Sequence, residues 1–234
     1  MIRVVLVEPY YAGNIGSVAR LVKNFGAHEL YLVNPHVAPT DPEALRWAVH
    51  AKDVLESARV VGTVEAAVKD CAFVVATTGK PLEKRVARTP ITPKQFATRF
   101  ASYVHSRERI AILFGREPSG LTNEEMQIAD LTVTIPASPT YPILNLSHAV
   151  AVILYELYVH SRKYRQIKHP PTKQTLDVLF RFFSELVDIV GRDNPEEVKK
   201  IFRAVVGRGV RTEREAKALI GVFADVIKRW KRAR

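Results

Sequence analysis

Residues 110–122 read Ile-Ala-Ile-Leu-Phe-Gly-Arg-Glu-Pro-Ser-Gly-Leu-Thr, and this stretch indicates the fold class. Its apolar half, Ile110–Phe114, predicts a buried strand, which is followed at once by the charged pair Arg116 and Glu117 between two glycines. Thr122, with a glutamate three residues later, has the capping-box pattern that begins a helix. A buried strand, a polar loop and a helix form the unit of a parallel sheet, in which ligands bind beyond the carboxyl ends of the strands. A purely structural loop is the alternative interpretation.

Two other polar segments occupy comparable positions in the chain. Asn14 and Arg20 lie in Asn-Ile-Gly-Ser-Val-Ala-Arg, which follows the predicted strand Ile2–Val7 and begins a predicted helix. Asn145 and Ser147 follow a proline-rich loop at the start of a long apolar helix, where the positive end of the helix dipole lies. Asn14 as an ordinary helix N-cap and Arg20 as an ordinary surface arginine are the structural alternatives. Together the three segments predict one crevice built from distant parts of the chain, and they favour an enzyme over a scaffold.

Strand-like and helix-like patterns alternate outward from these segments through residues 1–168. This alternation predicts an α/β fold with a mostly parallel sheet and helices on both faces. The predicted strands are 2–7, 30–33, 60–61, 73–76, 110–114 and 131–135, and the predicted helices are 14–25, 42–58, 64–68, 93–104 and 145–165. Residues 1–168 therefore form the predicted main domain.

The pattern changes in residues 169–234, where no strand pattern is found. Apolar residues at helical spacing predict a first helix over 173–190, a second that begins at Pro195 and a third that follows Thr212 in another capping box. Glycines and arginines at 207–211 predict a basic turn between the last two helices. Residues 169–234 are thus predicted to be a small, basic, all-helical extension.

The composition excludes several classes of protein. Of the 234 residues, 47% are hydrophobic and 25% are charged, which predicts a packed core rather than a disordered chain. The sequence contains no run of about 18 apolar residues, so no membrane span is expected. The pattern at the N-terminus predicts a buried strand rather than a signal peptide. The single cysteine, Cys71, lies among apolar residues, so no internal disulfide is expected and no Cys/His spacing predicts a metal site. We therefore expect a cytoplasmic protein without a metal.

The charge of the chain points to a polyanionic partner. The formal net charge is +11 and the isoelectric point is about 9.8. Residues 1–168 carry a net charge of +5, while the much shorter segment 169–234 carries +6. The predicted extension is therefore the more basic part per residue, and it is the first candidate for a contact with nucleic acid.

Taken together, the three polar segments resemble motifs 1, 2 and 3 of the SpoU-type SPOUT RNA 2′-O-methyltransferases. Within that family the closest resemblance is to the TrmJ-like tRNA 2′-O-methyltransferases, and residues 43–55 also resemble the stretch that links motifs 1 and 2 in that group. The resemblance covers about residues 1–165 in motif order, spacing and content. Pro142 and Ile143 depart from it, because bacterial members often carry small polar residues there.

The resemblance implies a fold, a cofactor and an assembly. It implies that the C-terminal part of the sheet is tied in a trefoil knot built from segments around 110–121 and 131–150, and that this knot binds S-adenosylmethionine. It also implies a homodimer in which both subunits contribute to the active site, with helices that begin near Asn14 and Asn145 at the interface. The implied cofactor-binding residues are Thr77, Thr78, Gly79, Leu113, Gly115, Arg116, Gly120, Ile135, Leu144 and Leu146.

The resemblance further implies that the 2′-oxygen of a tRNA ribose is methylated, with cytidine 32 of the anticodon loop as the target. Arg20 is implied to contact the ribose and phosphate of that nucleotide and Glu117 to orient Arg20, while Asn14, Asn145 and Ser147 shape the site. The basic extension suits contacts with RNA phosphates, and a solvated surface is the alternative. The candidate RNA-binding residues, besides Arg20, are Lys199, Arg203, Arg208, Arg211 and Arg214.

Three other interpretations stay open at this stage. The chain could be a SpoU-type enzyme that acts on another tRNA position or on ribosomal RNA, or a catalytically idle RNA-binding protein that keeps the knot. The joint presence of Asn14, Arg20, Glu117, Asn145 and Ser147 argues against an idle protein. A nucleotide-binding α/β protein with no role in RNA is disfavoured by the positive charge and by the missing Gly-Lys-Ser/Thr ending of a phosphate-binding loop.

Overall fold

One parallel sheet organises the molecule. The computed structural model describes residues 1–79, 90–163 and 170–233. Its strands are β1 (Ile2–Val7), β2 (Glu29–Val33), β3 (Arg59–Val61), β4 (Phe73–Thr77), β5 (Ile110–Phe114) and β6 (Leu131–Val133). They lie in the order β3-β2-β1-β5-β4-β6, and every neighbouring pair is parallel. The predicted α/β class with a parallel sheet is confirmed.

Helices cover both faces of this sheet. The helices of the described residues are α1 (Ala12–Asn24), α2 (Pro42–Ala48), α3 (Lys52–Glu56), α4 (Val64–Val68), α5 (Pro93–Phe100), α6 (Asn123–Ile128), α7 (Leu146–Lys163), α8 (Lys173–Val190), α9 (Pro195–Gly209) and α10 (Glu213–Arg232), with a 3₁₀ helix at Ala101–His105. Side chains alternate along β1, so that Val4 and Leu6 pack with α1 and α7 on one face. Val5 and Val7 pack with α4 and α6 on the other face.

The structure corrects two of the predicted elements. Residues 42–58 form α2 and α3 rather than one helix, because the chain turns at Val49, whose φ is +54°. A β-branched residue rarely adopts positive φ, so the sequence did not indicate a break there. The basic turn predicted at 207–211 is also wrong, since α9 continues through Gly209. Gly207 faces the core instead, where an added Cβ would lie 3.3 Å from the ring of Phe73.

The last three helices share the core of the sheet. Leu176, Leu179 and Val206 belong to the same buried cluster as Phe73 of β4 and Leu131 of β6. Gly207 of α9 lies against Phe73 and Leu131, so this helix packs directly against the β4–β6 side of the sheet. The predicted domain boundary between 168 and 169 lies outside the described residues and stays a prediction. None of the helices within the described ranges is long and apolar enough to cross a membrane.

Candidate active site

A cavity of about 370 Å³ opens at the carboxyl ends of β4, β5 and β6. Its walls combine main chain of three loops with apolar side chains such as Phe114 and Met126. The predicted cofactor residues that line it are Thr77, Thr78, Gly79, Gly115, Arg116, Gly120, Ile135, Leu144 and Leu146. Leu113 is not among the lining residues because it is buried in β5, where its carbonyl accepts a hydrogen bond of 2.8 Å from the Thr77 hydroxyl. The predicted cofactor residues come from four segments of the sequence, and all of them except Leu113 line this one cavity.

The loop after β5 forms one wall of the cavity and is held in a tight hairpin. Arg116 and Gly120 exchange two main-chain hydrogen bonds, with N–O distances of 3.3 and 2.9 Å. Gly120 has a φ of +79°, a conformation that side chains disfavour. A Cβ on Gly115 would lie 2.2 Å from the carbonyl carbon of Gly120 and 2.3 Å from the nitrogen of Leu121. The two glycines therefore allow the hairpin to fold back on itself at the cavity wall.

Arg116 fixes this hairpin to two other segments. Its guanidinium forms a bidentate ion pair with Glu8 at the end of β1, at 2.6 and 2.8 Å, and another with Glu125 in the first turn of α6, at 2.9 and 3.0 Å. The two carboxylates raise the pKa of Arg116, and the Arg116 side chain lowers the pKa of Glu8. Glu125 also accepts the main-chain N–H of Thr122, which confirms the predicted capping box. Because these ion pairs occupy its side chain, Arg116 contributes mainly main-chain atoms to the cavity wall.

The five predicted catalytic residues separate into a connected chain of four and a free arginine. The Asn14 amide donates to Glu117 at 3.0 Å, and the Asn145 amide donates to the Asn14 oxygen at 3.1 Å. The Asn145 oxygen in turn accepts both the N–H and the hydroxyl of Ser147, each at 2.8 Å. The three sequence segments are thus joined side chain to side chain beside the cavity, which Glu117 also lines.

Asn14 is not the N-cap of its helix. Helix α1 begins at Ala12, and the residue at its N-cap position, Tyr11, has no capping side chain. The Glu117 carboxylate, from another loop, accepts the main-chain N–H of Tyr10 at 3.1 Å and that of Tyr11 at 3.5 Å, directly before the helix. A carboxylate at a helix N-terminus is favoured by the helix dipole. The Asn14 side chain is therefore left for the contacts with Glu117 and Asn145.

Arg20 lies apart from this network within a single chain. It is exposed on α1 and forms no hydrogen bond or ion pair with any described residue. The contact between Glu117 and Arg20 that the resemblance implies is not made within one chain, where Asn14, Tyr10 and Tyr11 contact the carboxylate instead. A guanidinium free of internal partners keeps all its donors for a ligand or for a second subunit.

The candidate RNA-binding residues of the last helices fall into two groups. Lys199 is engaged with Asp188 at 2.9 Å and with Glu196 at 3.0 Å. Arg203 lies 3.5 Å from Asp130 and 4.1 Å above the ring of Phe180. The second group forms no ion pair with a described residue and consists of Arg208, Arg211 and Arg214.

The sequence analysis did not identify Glu8 and Glu125 as ion-pair partners of Arg116. It also did not identify the N–H groups of Tyr10 and Tyr11 as hydrogen-bond donors to Glu117. One sequence signal was available for Glu8, because it is a charged residue that follows a buried strand. Arg116 has the same relation to β5. Their pairing could not be predicted locally, since it depends on β1 and β5 being neighbours in the sheet.

The similarity of this chain to known proteins extends over nearly its whole length. The model of the SpoU rRNA Methylase family matches residues 1–155. The tRNA (cytidine-2′-O-)-methyltransferase TrmJ of Methanocaldococcus jannaschii is 40% identical over 230 residues, which cover 95% of this chain and 98% of that protein. The tRNA (cytidine/uridine-2′-O-)-methyltransferase TrmJ of Escherichia coli O6:K15:H31 is 35% identical, with 96% and 94% covered. A solved structure of a probable methylase family protein from Haemophilus influenzae Rd KW20 has a TM-score of 0.71 at 32% identity, with 100% and 98% covered.

Proposed function

This chain belongs to the SpoU rRNA methylase family, and we infer that it is a tRNA ribose 2′-O-methyltransferase. The observation that carries this conclusion is the side-chain network of Asn14, Glu117, Asn145 and Ser147 beside the cavity. It joins the three segments that define the family resemblance in the sequence. Full-length similarity to two enzymes named as tRNA 2′-O-methyltransferases supports tRNA as the substrate.

We propose S-adenosylmethionine as the cofactor of the cavity. The volume of about 370 Å³ lies in the range of roughly 300–1,000 Å³ that small-molecule sites occupy. The hairpin at Gly115 leaves space that a Cβ would fill and brings main-chain groups to the wall. Arg116 and Glu117 line the cavity, and together with Glu8 and Glu125, which pair with Arg116, they form a group with more negative than positive charge. Such a group suits a cation. When bound, this cofactor supplies a methyl group on a positively charged sulfur.

In this proposal the chain's own residues hold the ribose and the 2′-oxygen in line with that methyl group. Such alignment is worth several kcal/mol of the activation barrier, about 7–11 kcal/mol in well-oriented intramolecular reactions. Arg20 binds the phosphate and ribose of the target nucleotide and stabilises negative charge on the oxygen. It does not act as a base, since a guanidinium keeps its proton and has no acceptor lone pair. Glu117, Asn14, Asn145 and Ser147 fix the shape of the site.

We further propose a homodimer with the active site at the subunit interface. Arg20 does not meet Glu117 within one chain, and a second copy can supply that contact. Helices α1 and α7 lie side by side, and the aromatic side chains of Tyr10, Tyr11 and Tyr155 are more than half exposed next to them. Exposed aromatic residues are typical of interfaces between proteins. The trefoil knot around 110–121 and 131–150 is also proposed and rests on the family resemblance.

The cytoplasmic location and the separate status of residues 169–234 are likewise proposals, and they rest on the composition and on the change of sequence pattern after residue 168.

Cytidine 32 of the anticodon loop is the proposed target nucleotide. The name of the Methanocaldococcus jannaschii relative specifies cytidine, which supports the base preference. The test is incubation of the protein with radiolabelled S-adenosylmethionine and unmodified tRNA transcripts, followed by nucleoside analysis and mapping of the label. We expect 2′-O-methylcytidine at position 32. A methylated base would overturn the ribose assignment, and label at another nucleotide would overturn only the position.

A further inference from the structure

Three aromatic side chains form an exposed cluster between the end of β1 and the start of α1. The ring of Tyr10 lies 5.1 Å from the ring of Tyr11, edge to face, and 5.1 Å from the ring of His36. Tyr10 is 55% and Tyr11 is 59% exposed, and His36 is exposed as well. These rings therefore contribute little to the core, and a contiguous group of exposed aromatic side chains is typical of a binding surface.

Main-chain hydrogen bonds hold this aromatic cluster beside the cavity. The Glu117 carboxylate accepts the N–H groups of Tyr10 and Tyr11 at 3.1 and 3.5 Å, and Glu117 itself lines the cavity. The N–H of His36 donates to the carbonyl of Pro9 at 3.1 Å, which joins the loop after β2 to the loop after β1. The backbone of all three residues is thus fixed before a ligand binds, so little conformational freedom is lost on binding.

An unpaired nucleotide base suits such a cluster. Every base has an aromatic face, and proteins that recognise single-stranded RNA stack bases on the rings of tyrosine, phenylalanine, tryptophan or histidine. Within the proposed function, the base of the target nucleotide lies closest to the reaction, because it is attached to the carbon next to the one that carries the 2′-oxygen. Arg20 of a second copy is proposed to meet Glu117, and Glu117 holds Tyr10. The proposed ribose contact and the aromatic rings therefore converge on one carboxylate.

We propose that the cluster of Tyr10, Tyr11 and His36 stacks against the base of the target nucleotide while its ribose is at the cavity. This proposal rests on the proposed function and adds a contact with the base to those proposed for the ribose and phosphate. Stacking needs an unpaired base, so the cluster selects a nucleotide in a single-stranded loop or one that has left its helix. Cytosine and uracil both have a flat face, so the cluster supplies affinity rather than a choice between them.

The test compares Tyr10→Leu with the matched control Tyr10→Phe, because leucine removes the aromatic face and phenylalanine keeps it. For Tyr10→Leu we expect tRNA to bind about tenfold more weakly, equally with cytidine or uridine at the methylated position, while the melting temperature stays that of the parent. Tyr10→Phe should bind tRNA as the parent does. A tRNA that lacks the base at the methylated nucleotide makes the matching change in the RNA. The parent should bind this abasic tRNA about tenfold more weakly than intact tRNA, whereas Tyr10→Leu should bind the two equally.

The oligomeric state separates base stacking from a role in the proposed dimer, whose interface lies at the same site. In sedimentation experiments Tyr10→Leu should form the same assembly as the parent, and a smaller assembly would overturn the proposal, because Tyr10 would then serve the contact between copies. Parent-like tRNA affinity in Tyr10→Leu would also overturn it, and so would a variant that still binds abasic tRNA tenfold more weakly than intact tRNA. A parent protein that neither binds nor methylates tRNA would instead refute the proposed function, and the stacking site with it.

Discussion

Replacing Gly115 by alanine tests whether the hairpin after β5 forms the cofactor wall. The new Cβ would lie 2.2 Å from one main-chain atom of Gly120 and 2.3 Å from one of Leu121, whereas ordinary contact begins at 3.4 Å. Main chain cannot rotate away as a side chain can, so residues 120 and 121 must retreat by roughly 1 Å. Forced overpacking of this kind costs about 1–3 kcal/mol of stability, and a displacement of 1 Å in a positioned site costs about 100-fold in function.

Titration calorimetry with S-adenosylmethionine and thermal unfolding measure the two effects separately. We expect the cofactor to bind Gly115→Ala about 100-fold more weakly, and the melting temperature to fall by roughly 2–12 °C. Gly221→Ala is the control, because Gly221 lies in α10 with no atom within 4 Å of an added Cβ, and alanine there should raise stability by about 1 kcal/mol. Cofactor affinity in Gly115→Ala equal to that of the parent would refute the placement of the cofactor against this hairpin.

Three other perturbations have defined outcomes. Arg20→Lys should lower kcat/KM for tRNA by at least about tenfold, with cofactor affinity unchanged, because an ammonium cannot form the bidentate contact; near-normal activity would contradict that role. Glu8→Gln should lower the free energy of unfolding at pH 7 by about 1–2 kcal/mol. Because Arg116 lowers the Glu8 pKa, urea titrations should show this difference beginning to shrink as the pH falls below the usual carboxyl pKa of 4.5 and disappearing once the pH is below the lowered pKa of the folded protein. Burial raises the pKa of Cys71 to about 12, so the native thiol should react with iodoacetamide at pH 8 only at the rate of unfolding, and labelling of the native protein within minutes would argue against its burial.

The sequence predicted the site better than the contacts that hold it. Strand β5 was predicted at its observed bounds, and the capping box at Thr122 was correct, because both depend on neighbours in sequence. The contacts of Arg116 with Glu8 and of Glu117 with Tyr10 join positions more than 100 residues apart. They follow from the strand order, which local periodicity does not encode. A motif therefore identifies which loops meet, while the sheet determines which side chains pair.

The packing of α9 against β4 also escaped the sequence analysis, because it depends on Gly207, which the sequence predicted to be in a turn.

The distribution of charge suits the proposed combination of a cationic cofactor and a polyanionic RNA substrate. Arg116, at the cavity, is shared between Glu8 and Glu125, and Glu117 adds a third carboxylate, so this group is net negative although the chain carries +11 overall. A free arginine at position 116 would repel a sulfonium group, and the two ion pairs remove that repulsion while they hold the hairpin closed. Arg20 on α1 and Arg208 and Arg214 on the last two helices lie outside this group and form no ion pair with a described residue. Pairing an arginine beside the proposed site of the cationic cofactor, and leaving arginines unpaired where RNA phosphates are proposed to bind, would let one basic protein bind both ligands.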